Sequence, residues 1–195
     1  MIGAILAGGA SSRFGGAPKG LHTVGGVRII DRASRALRDV SSEVIVISNA
    51  AEAPDWLTGA RVFGDVRGER GSLVGIHTAL VHANSSVIVV AWDMPFVTAE
   101  LFRLIRDRGR DERFATVPEG PGGLEPFCAM YTPACLPTLE AALDAGELRM
   151  STMLERLPSL TRIPVAEIST IGDPSRLFFN VNDAGDLALA EQMSS

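Results

Sequence analysis

Lys19 and Asp93 are the side chains whose type and setting best suit chemistry on a phosphate group. Lys19 closes the glycine-rich stretch L-A-G-G-A-S-S-R-F-G-G-A-P-K, which runs from Leu6 to Lys19 and also contains Arg13. Gly8 and Gly9 permit close backbone approach to a ligand, and free amides in such a loop can cradle phosphate oxygens. Arg13 and Lys19 would place positive charge beside those amides. Glycines alone would equally suit a turn with two solvated cations. Neither common nucleotide motif fits. A P-loop needs Gly-Lys followed by Ser or Thr, whereas Lys19 lies between Pro18 and Gly20, and the G-x-G-x-x-G dinucleotide pattern is missing.

Asp93 follows the apolar run Val87–Val90 and precedes Met94-Pro95, so its carboxylate is expected at the carboxyl edge of a sheet. A magnesium ligand would serve there, since magnesium takes one or two protein carboxylates and completes its shell with phosphate oxygens and water. An aspartate before proline can also simply bond its own backbone in a turn. Asp65 lies in the charged loop D-V-R-G-E-R-G after the short strand Arg61–Phe63. A carboxylate can accept from a purine ring N–H and its exocyclic amine, although a solvated loop charge fits equally well. Asn49, or Ser48 if the register slips by one, follows Val44–Ile47 and could read a base in the same way. His22, His77 and His82 match no metal or triad spacing and are expected to be structural or exposed.

The elements that must carry these residues follow from the pattern of apolar positions. Ile2–Leu6, Val44–Ile47 and Val87–Val90 are built largely of apolar residues without alternation, as strands buried on both faces of a parallel sheet should be. Helices are expected at Ile29–Val40, Leu73–Ala83 and Thr98–Arg108, with Thr98 as the N-cap of the last. The strand–helix alternation predicts a single-domain three-layer α/β/α sandwich with a mostly parallel sheet. Gly25-Gly26 and Gly120–Gly123 are turn signals, and the second separates Phe114–Val117 from Cys128–Tyr131, predicting an antiparallel pair in the second half. A last helix, Ala184–Met193, follows Asp183 as its cap. In such a sheet ligands bind beyond the carboxyl ends of the strands, where the loops carrying Gly8, Asn49, Asp65 and Asp93 would gather.

Composition narrows the classes of function. The chain of 195 residues, 46% hydrophobic and 21% charged, has the make-up of a globular domain with its own core. No apolar run reaches the length of a membrane span, and Met1–Leu6 is expected to be the first strand rather than a leader. Two cysteines, Cys128 and Cys135, are too few for a disulfide framework, so a cytoplasmic setting is expected. A net charge of -5 argues against a nucleic-acid surface and confines any anion site to a local patch.

The Leu6–Lys19 segment resembles the nucleotidyltransferase pattern L-A-G-G-x-S-x-R-M-G-x-x-K, with Phe14 in place of the usual methionine, and is similar to the molybdenum cofactor guanylyltransferase family. The resemblance continues through G-S-L-V-G at Gly71–Gly75, W-D-M-P-F at Trp92–Phe96, E-P-F-C-A-M-Y at Glu125–Tyr131 and F-N-V-N-D at Phe179–Asp183. It implies transfer of GMP from GTP to the terminal phosphate of Mo-molybdopterin with Mg²⁺, and Arg13, Lys19 and Asp93 as catalytic residues. It further implies GTP contacts from Leu6, Ala7, Gly8, Gly9, Asn49, Asp65, Gly71 and Gly75, besides Lys19 and Asp93. Arg149, Asn180 and Asn182 would serve the pterin, with the two amides projecting together from an extended Phe178–Asn182 while Val181 turns inward. The nucleotide-binding half would span residues 1–97 and the acceptor-binding half residues 98–195. Transient contact with other molybdenum cofactor proteins is part of the same implication. The Gly8-Gly9 pair resembles the guanine-specific branch, where cytidylyltransferases have L-A-A-G. Another base or acceptor, such as CTP or a sugar phosphate, and a non-catalytic nucleotide-binding regulator are the alternatives.

Overall fold

Strand β1 (Ile2–Leu6) lies between β4 (Val44–Ile47) and β6 (Val87–Ala91), parallel to both, and β5 (Arg61–Phe63) extends the sheet beyond β4. The computed structural model describes residues 1–8, 18–68 and 71–194. The central strands are apolar at nearly every position because both faces are covered. Ile5, Val46, Ile88 and Val90 enter one core layer, while Ala4, Ile45, Ile47, Val87 and Val89 enter the other. Successive side chains of a strand point to opposite faces, which is why a run without alternation fits only a doubly covered sheet.

Past β6 the sheet continues with β9 (Cys128–Tyr131), which runs antiparallel, then β7 (Ala115–Gly120) and β10 (Leu160–Ile163), so the order is β10-β7-β9-β6-β1-β4-β5. The expected antiparallel pair is present, with Ala115 opposite Tyr131 and Thr116 opposite Met130. β7 runs three residues past the expected Val117 and turns at Pro121-Gly122 into β8 (Gly123–Leu124). Gly123 takes φ +119°, a conformation open to glycine.

Helices α1 (Ile29–Arg38) and α3 (Ala99–Arg108) cover one face, and α2 (Ser72–Ala83), α4 (Leu136–Asp144) and α5 (Met150–Glu155) cover the other. This is the expected three-layer arrangement. α1 stops two residues short of Val40, and Val40 N–H instead closes on Leu37 O in a turn. Thr98 caps α3 by accepting from Leu101 N–H at 3.2 Å. Two single-turn helices, α6 (Val165–Ile168) and α7 (Pro174–Leu177), lead to α8 (Ala184–Ser194), whose first-turn amides at Gly185 and Asp186 donate to Asp183 Oδ1. α8 packs with the two-residue strands β2 (Thr23–Val24) and β3 (Val27–Arg28) around Val24, Ile29, Phe96, Val181 and Ala190. Among the described residues no helix is long and apolar enough to cross a membrane.

Phe178–Asn182 departs from the extended segment expected from sequence. Phe178 completes the turn after α7, with its N–H bonded to Pro174 O, because Asp173 caps that helix and Pro174 starts it. Only residues 179–182 run free of regular structure. There Val181 is fully buried, as expected.

Candidate active site

The register of the parallel strands brings the polar loop residues together. Ile47 is paired with Phe63, so Asn49 and Asp65, each two residues farther on, emerge side by side. They bond reciprocally: Asn49 Nδ2 donates to Asp65 Oδ2 at 2.7 Å, and Asp65 N–H donates to Asn49 Oδ1 at 2.8 Å. Leu6 is likewise paired with Ala91, which sets Gly8 and Asp93 at the same offset beyond β1 and β6. Ser48 is buried, and its hydroxyl accepts from Ala50 N–H, so Asn49 is the residue that reaches the open edge.

Lys19 opens a short 3-10 turn, Lys19–Leu21, that lies over the end of β6. Its ammonium stands 3.7 Å from Asp93 Oδ2 and donates to Asn182 Oδ1 at 3.3 Å. The side chains of Lys19 and Asp93 are only 15% and 17% exposed, so their attraction is little weakened by solvent. Burial pushes the Asp93 carboxyl above its ordinary value against the pull of the Lys19 ammonium, and its buried Oδ1 meets no hydrogen-bond donor among the described residues. A desolvated carboxylate oxygen that meets no donor among the described residues suits a cation that brings its own ligands. Among the described residues no group of three or more acidic, histidine or cysteine side chains could cage a metal, so a magnesium ion here would rely on Asp93 together with substrate phosphates and water.

The asparagines of the last motif join this cluster. Val181 N–H donates to Asp93 O at 2.8 Å, which anchors the 179–182 segment to the Asp93 loop. Asn180 and Asn182 both line an open cleft of about 380 Å³, together with Glu125 from the β8–β9 connection, the Phe179 ring and Asp186 of α8. Asn180 Nδ2 donates to Phe178 O, and Asn182 N–H donates to Asp186 Oδ2. Asn182 thus touches Lys19 as well as the cleft, so this residue links the first half of the chain to the second.

Other expected contacts are distributed differently. Leu6 O accepts from Trp92 N–H, and Ala7 N–H donates to Ile47 O, so these backbone groups are occupied within the sheet. Gly71 sits exposed at the start of α2 with φ +152°, which favours glycine. Gly75 is buried in α2, and a methyl group there would touch Leu6, which gives it a packing role. Arg149 is not joined to the two asparagines. It precedes α5 on the α2–α4 face, its N–H bonded to Glu147, beside Leu148, which lies against Gly71. Gly9 and Arg13 lie outside the described residues. His77 faces Glu140 at 3.5 Å and His82 stacks on Phe63, in keeping with structural roles. Both cysteines are buried and unpaired, and burial pushes the Cys135 thiol up to about 12 and the Cys128 thiol higher still, so neither is a nucleophile at neutral pH.

Sequence reasoning passed over Glu125 except as a letter in a motif. Burial pushes its carboxyl up to about 7, an environment created by β7, β8 and the segment before α8, which are far apart in the chain.

Comparison with known proteins places this geometry among relatives. The family model described as MobA-like NTP transferase domain matches residues 3–160. A molybdenum cofactor guanylyltransferase of Desulfosudis oleivorans is 32% identical over 98% of this chain and 94% of its own length. A probable molybdenum cofactor guanylyltransferase of Pelotomaculum thermopropionicum is 35% identical over 98% and 92%. The crystal structure of molybdopterin-guanine dinucleotide biosynthesis protein A from Archaeoglobus fulgidus superposes with a TM-score of 0.84 at 28% identity, covering 99% of this chain and 98% of that one.

Proposed function

The chain belongs to the MobA-like NTP transferase domain family, and from that premise we propose that it transfers GMP from GTP to the terminal phosphate of Mo-molybdopterin, giving molybdopterin guanine dinucleotide and pyrophosphate. The observation that carries this reading is the Lys19–Asp93–Asn182 cluster, which unites the first, third and last sequence motifs at the carboxyl edge of the sheet.

In this reaction an acceptor phosphate oxygen attacks the α-phosphorus of GTP, and the bond from that phosphorus to the departing pyrophosphate breaks. The second pKa of a phosphate monoester is about 6, so the nucleophile is already largely dianionic at neutral pH and needs no protein base. The barrier is electrostatic, and catalysis is a matter of position and fixed charge. Lys19, held by Asp93 and Asn182, would present its ammonium to the triphosphate, with Arg13 and the amides of the glycine-rich loop adding to it. Mg²⁺, bound by Asp93, would neutralise charge gathering on the pyrophosphate. The paired Asn49 and Asp65 would read guanine, Asp65 accepting from its ring N–H and amine. Asn180 and Asn182 would hold the pterin. The buried, neutral thiols are in keeping with a reducing cytoplasm, where we place the enzyme.

Incubating the purified protein with Mg²⁺, molybdenum-loaded pterin and each NTP in turn, with mass detection of products, tests this directly. A guanylylated pterin formed from GTP is the expected product. A product formed equally well from CTP, or on a sugar phosphate alone, would refute the base or the acceptor.

A further inference from the structure

The cleft beside Asn180 and Asn182 contains two carboxyl groups with very different surroundings. Asp186 is engaged, accepting from Asn182 N–H at 2.8 Å at the start of α8. Glu125 is half-buried, and among the described residues its carboxyl makes no hydrogen bond or ion pair, although its own backbone is fixed by Glu125 N–H to Pro118 O and Cys128 N–H to Glu125 O. The carboxyl folds back onto β7: a methyl group built on Gly120 would lie 2.2 Å from Glu125 Oε1. Gly120 therefore leaves the space in which this acidic group sits, and the desolvation it suffers there is offset by no donor among the described residues. The rest of the cleft is lined by Phe179, Asn182 and Asn180, and among the described residues Asn180 Oδ1 accepts from no donor.

We propose that Glu125 is the specificity-determining residue of the acceptor cleft, its carboxylate accepting two hydrogen bonds from the 2-amino group and adjacent ring N–H of a 2-amino-4-oxopteridine. Such an edge presents two parallel donors, which match the two oxygens of one carboxylate. Asn180 and Asn182 then meet the remaining donors and acceptors of the ring system, and Phe179 supplies an apolar wall. A cleft of about 380 Å³ is of the size that takes a small heterocyclic ligand. Guanine carries the same donor edge, so the position of Glu125 beside Asn180 and Asn182, away from the Asn49–Asp65 pair, is what assigns it to the acceptor.

The inference rests on the guanylyl-transfer reading for the identity of its ligand, but its test requires no turnover. Binding of pterin (2-amino-4-oxopteridine) and lumazine (2,4-dioxopteridine), which replaces the 2-amino donor with an acceptor, is measured by fluorescence titration alongside GTP binding. Wild-type protein should prefer pterin by about ten-fold or more, the scale set by losing one hydrogen bond to a charged group. Glu125→Gln should collapse that preference. Gly120→Ala, which keeps the carboxyl but pushes it out of its place, should reduce it as well, with GTP affinity preserved in both variants. The proposal is overturned if wild-type protein binds neither pteridine or shows no preference, if Glu125→Gln keeps the preference, or if GTP affinity falls together with that for pterin. Absence of guanylylated product from wild-type protein would instead count against the transfer reaction and would leave a measured pterin preference standing.

Discussion

The backbone N–H of Val181 donates to the carbonyl oxygen of Asp93 at 2.8 Å, tying a loop near the end of the chain to the loop after the central strand β6. Because Val181 is buried, this bond is shielded from water and fixes the flanking residues. Asn182 is thereby held where its Oδ1 accepts from the Lys19 ammonium. Three segments far apart in the sequence are locked into one charged cluster.

Lys19→Ala and Asp93→Asn should each lower kcat by about 100- to 1000-fold, the usual cost of removing one well-placed electrostatic contact. Asp93→Asn is nearly isosteric and removes a carboxylate that burial disfavours. The melting temperature of Asp93→Asn should be no lower than that of wild type. Steady-state kinetics at saturating GTP decide the matter: wild-type kcat in either variant would remove that residue from the catalytic group.

Gly20 positions Lys19 through Trp92. A methyl group at Gly20 would lie 2.6 Å from Trp92 Cε3, and Trp92 cannot retreat because it is 3% exposed and stacked on Trp56 with centroids 4.9 Å apart. Gly20→Ala should cost about 1–3 kcal/mol in stability through overpacking and displace Lys19, lowering kcat. Gly26→Ala is the control, since it strains a turn at φ +73° with no neighbour within 4 Å and should cost stability while retaining kcat. Equal kcat in the two variants would show that Gly20 matters for folding alone.

Much of this arrangement was legible in the residues, for identifiable reasons. The buried parallel strands announced themselves because a doubly covered sheet removes alternation, and Thr98 and Asp183 could be read as caps because cap chemistry is local. β10 and the single-turn helices α6 and α7 were missed, since four residues show no periodicity. Lys19 and Asp93 stood out from motif and position, but their contact with Asn182 depends on the Val181 anchor. The Glu125 environment is likewise made by long-range packing. Motif resemblance groups Arg149 with the asparagines, whereas the fold packs α5 beside α2 and α4 and leaves Arg149 out of the cleft that Asn180 and Asn182 line.

The Asn49–Asp65 pair should determine the choice of base. Asp65→Asn turns one of the two accepting oxygens into a donating NH2 and so leaves one guanine N–H without an acceptor, and discrimination for GTP over CTP should fall by about ten-fold or more. Asn49→Ala should act in the same direction more weakly, by releasing Asp65 from its two bonds. Competition between the two nucleotides in one reaction gives the ratio, and an unchanged ratio in Asp65→Asn would place base selection elsewhere.

Glu112 makes a pH-dependent contribution to stability at the other end of the sheet. Burial disfavours its charge, but hydrogen bonds from Ser159, Phe114 N–H and Thr161 outweigh burial and hold its carboxyl below the ordinary 4.5. A carboxyl lowered by folding stabilises above its unfolded value, and that stability is lost as pH falls through the folded value. Glu112→Gln should therefore be destabilised by about 1–2 kcal/mol at pH 7, with the gap to wild type narrowing below pH 4.5. Urea unfolding at pH 7 and below 4.5 measures both gaps, and a gap independent of pH would contradict the ionised network.

Asn180 and Asn182 should separate kinetically although they line one cleft. Among the described residues the Asn180 side chain bonds Phe178 O alone, within its own loop, so Asn180→Ala removes a cleft contact and leaves the Lys19 cluster in place. Its expected signature is a raised acceptor KM with GTP affinity and kcat near wild type. Asn182 accepts from Lys19, so Asn182→Ala removes a cleft contact and loosens the ammonium that serves the triphosphate. It should raise the acceptor KM and lower kcat as well, since the electrostatic contribution of Lys19 depends on its position. Asn182→Asp keeps an acceptor for Lys19 but adds a negative charge beside the incoming phosphates, and should recover less activity than its geometry alone would allow. Kinetics with each substrate varied in turn, alongside thermal melting, resolve these effects. If both alanine variants weaken GTP and acceptor equally and melt early, the asparagines are structural residues of the loop before α8 and contribute nothing specific to the acceptor.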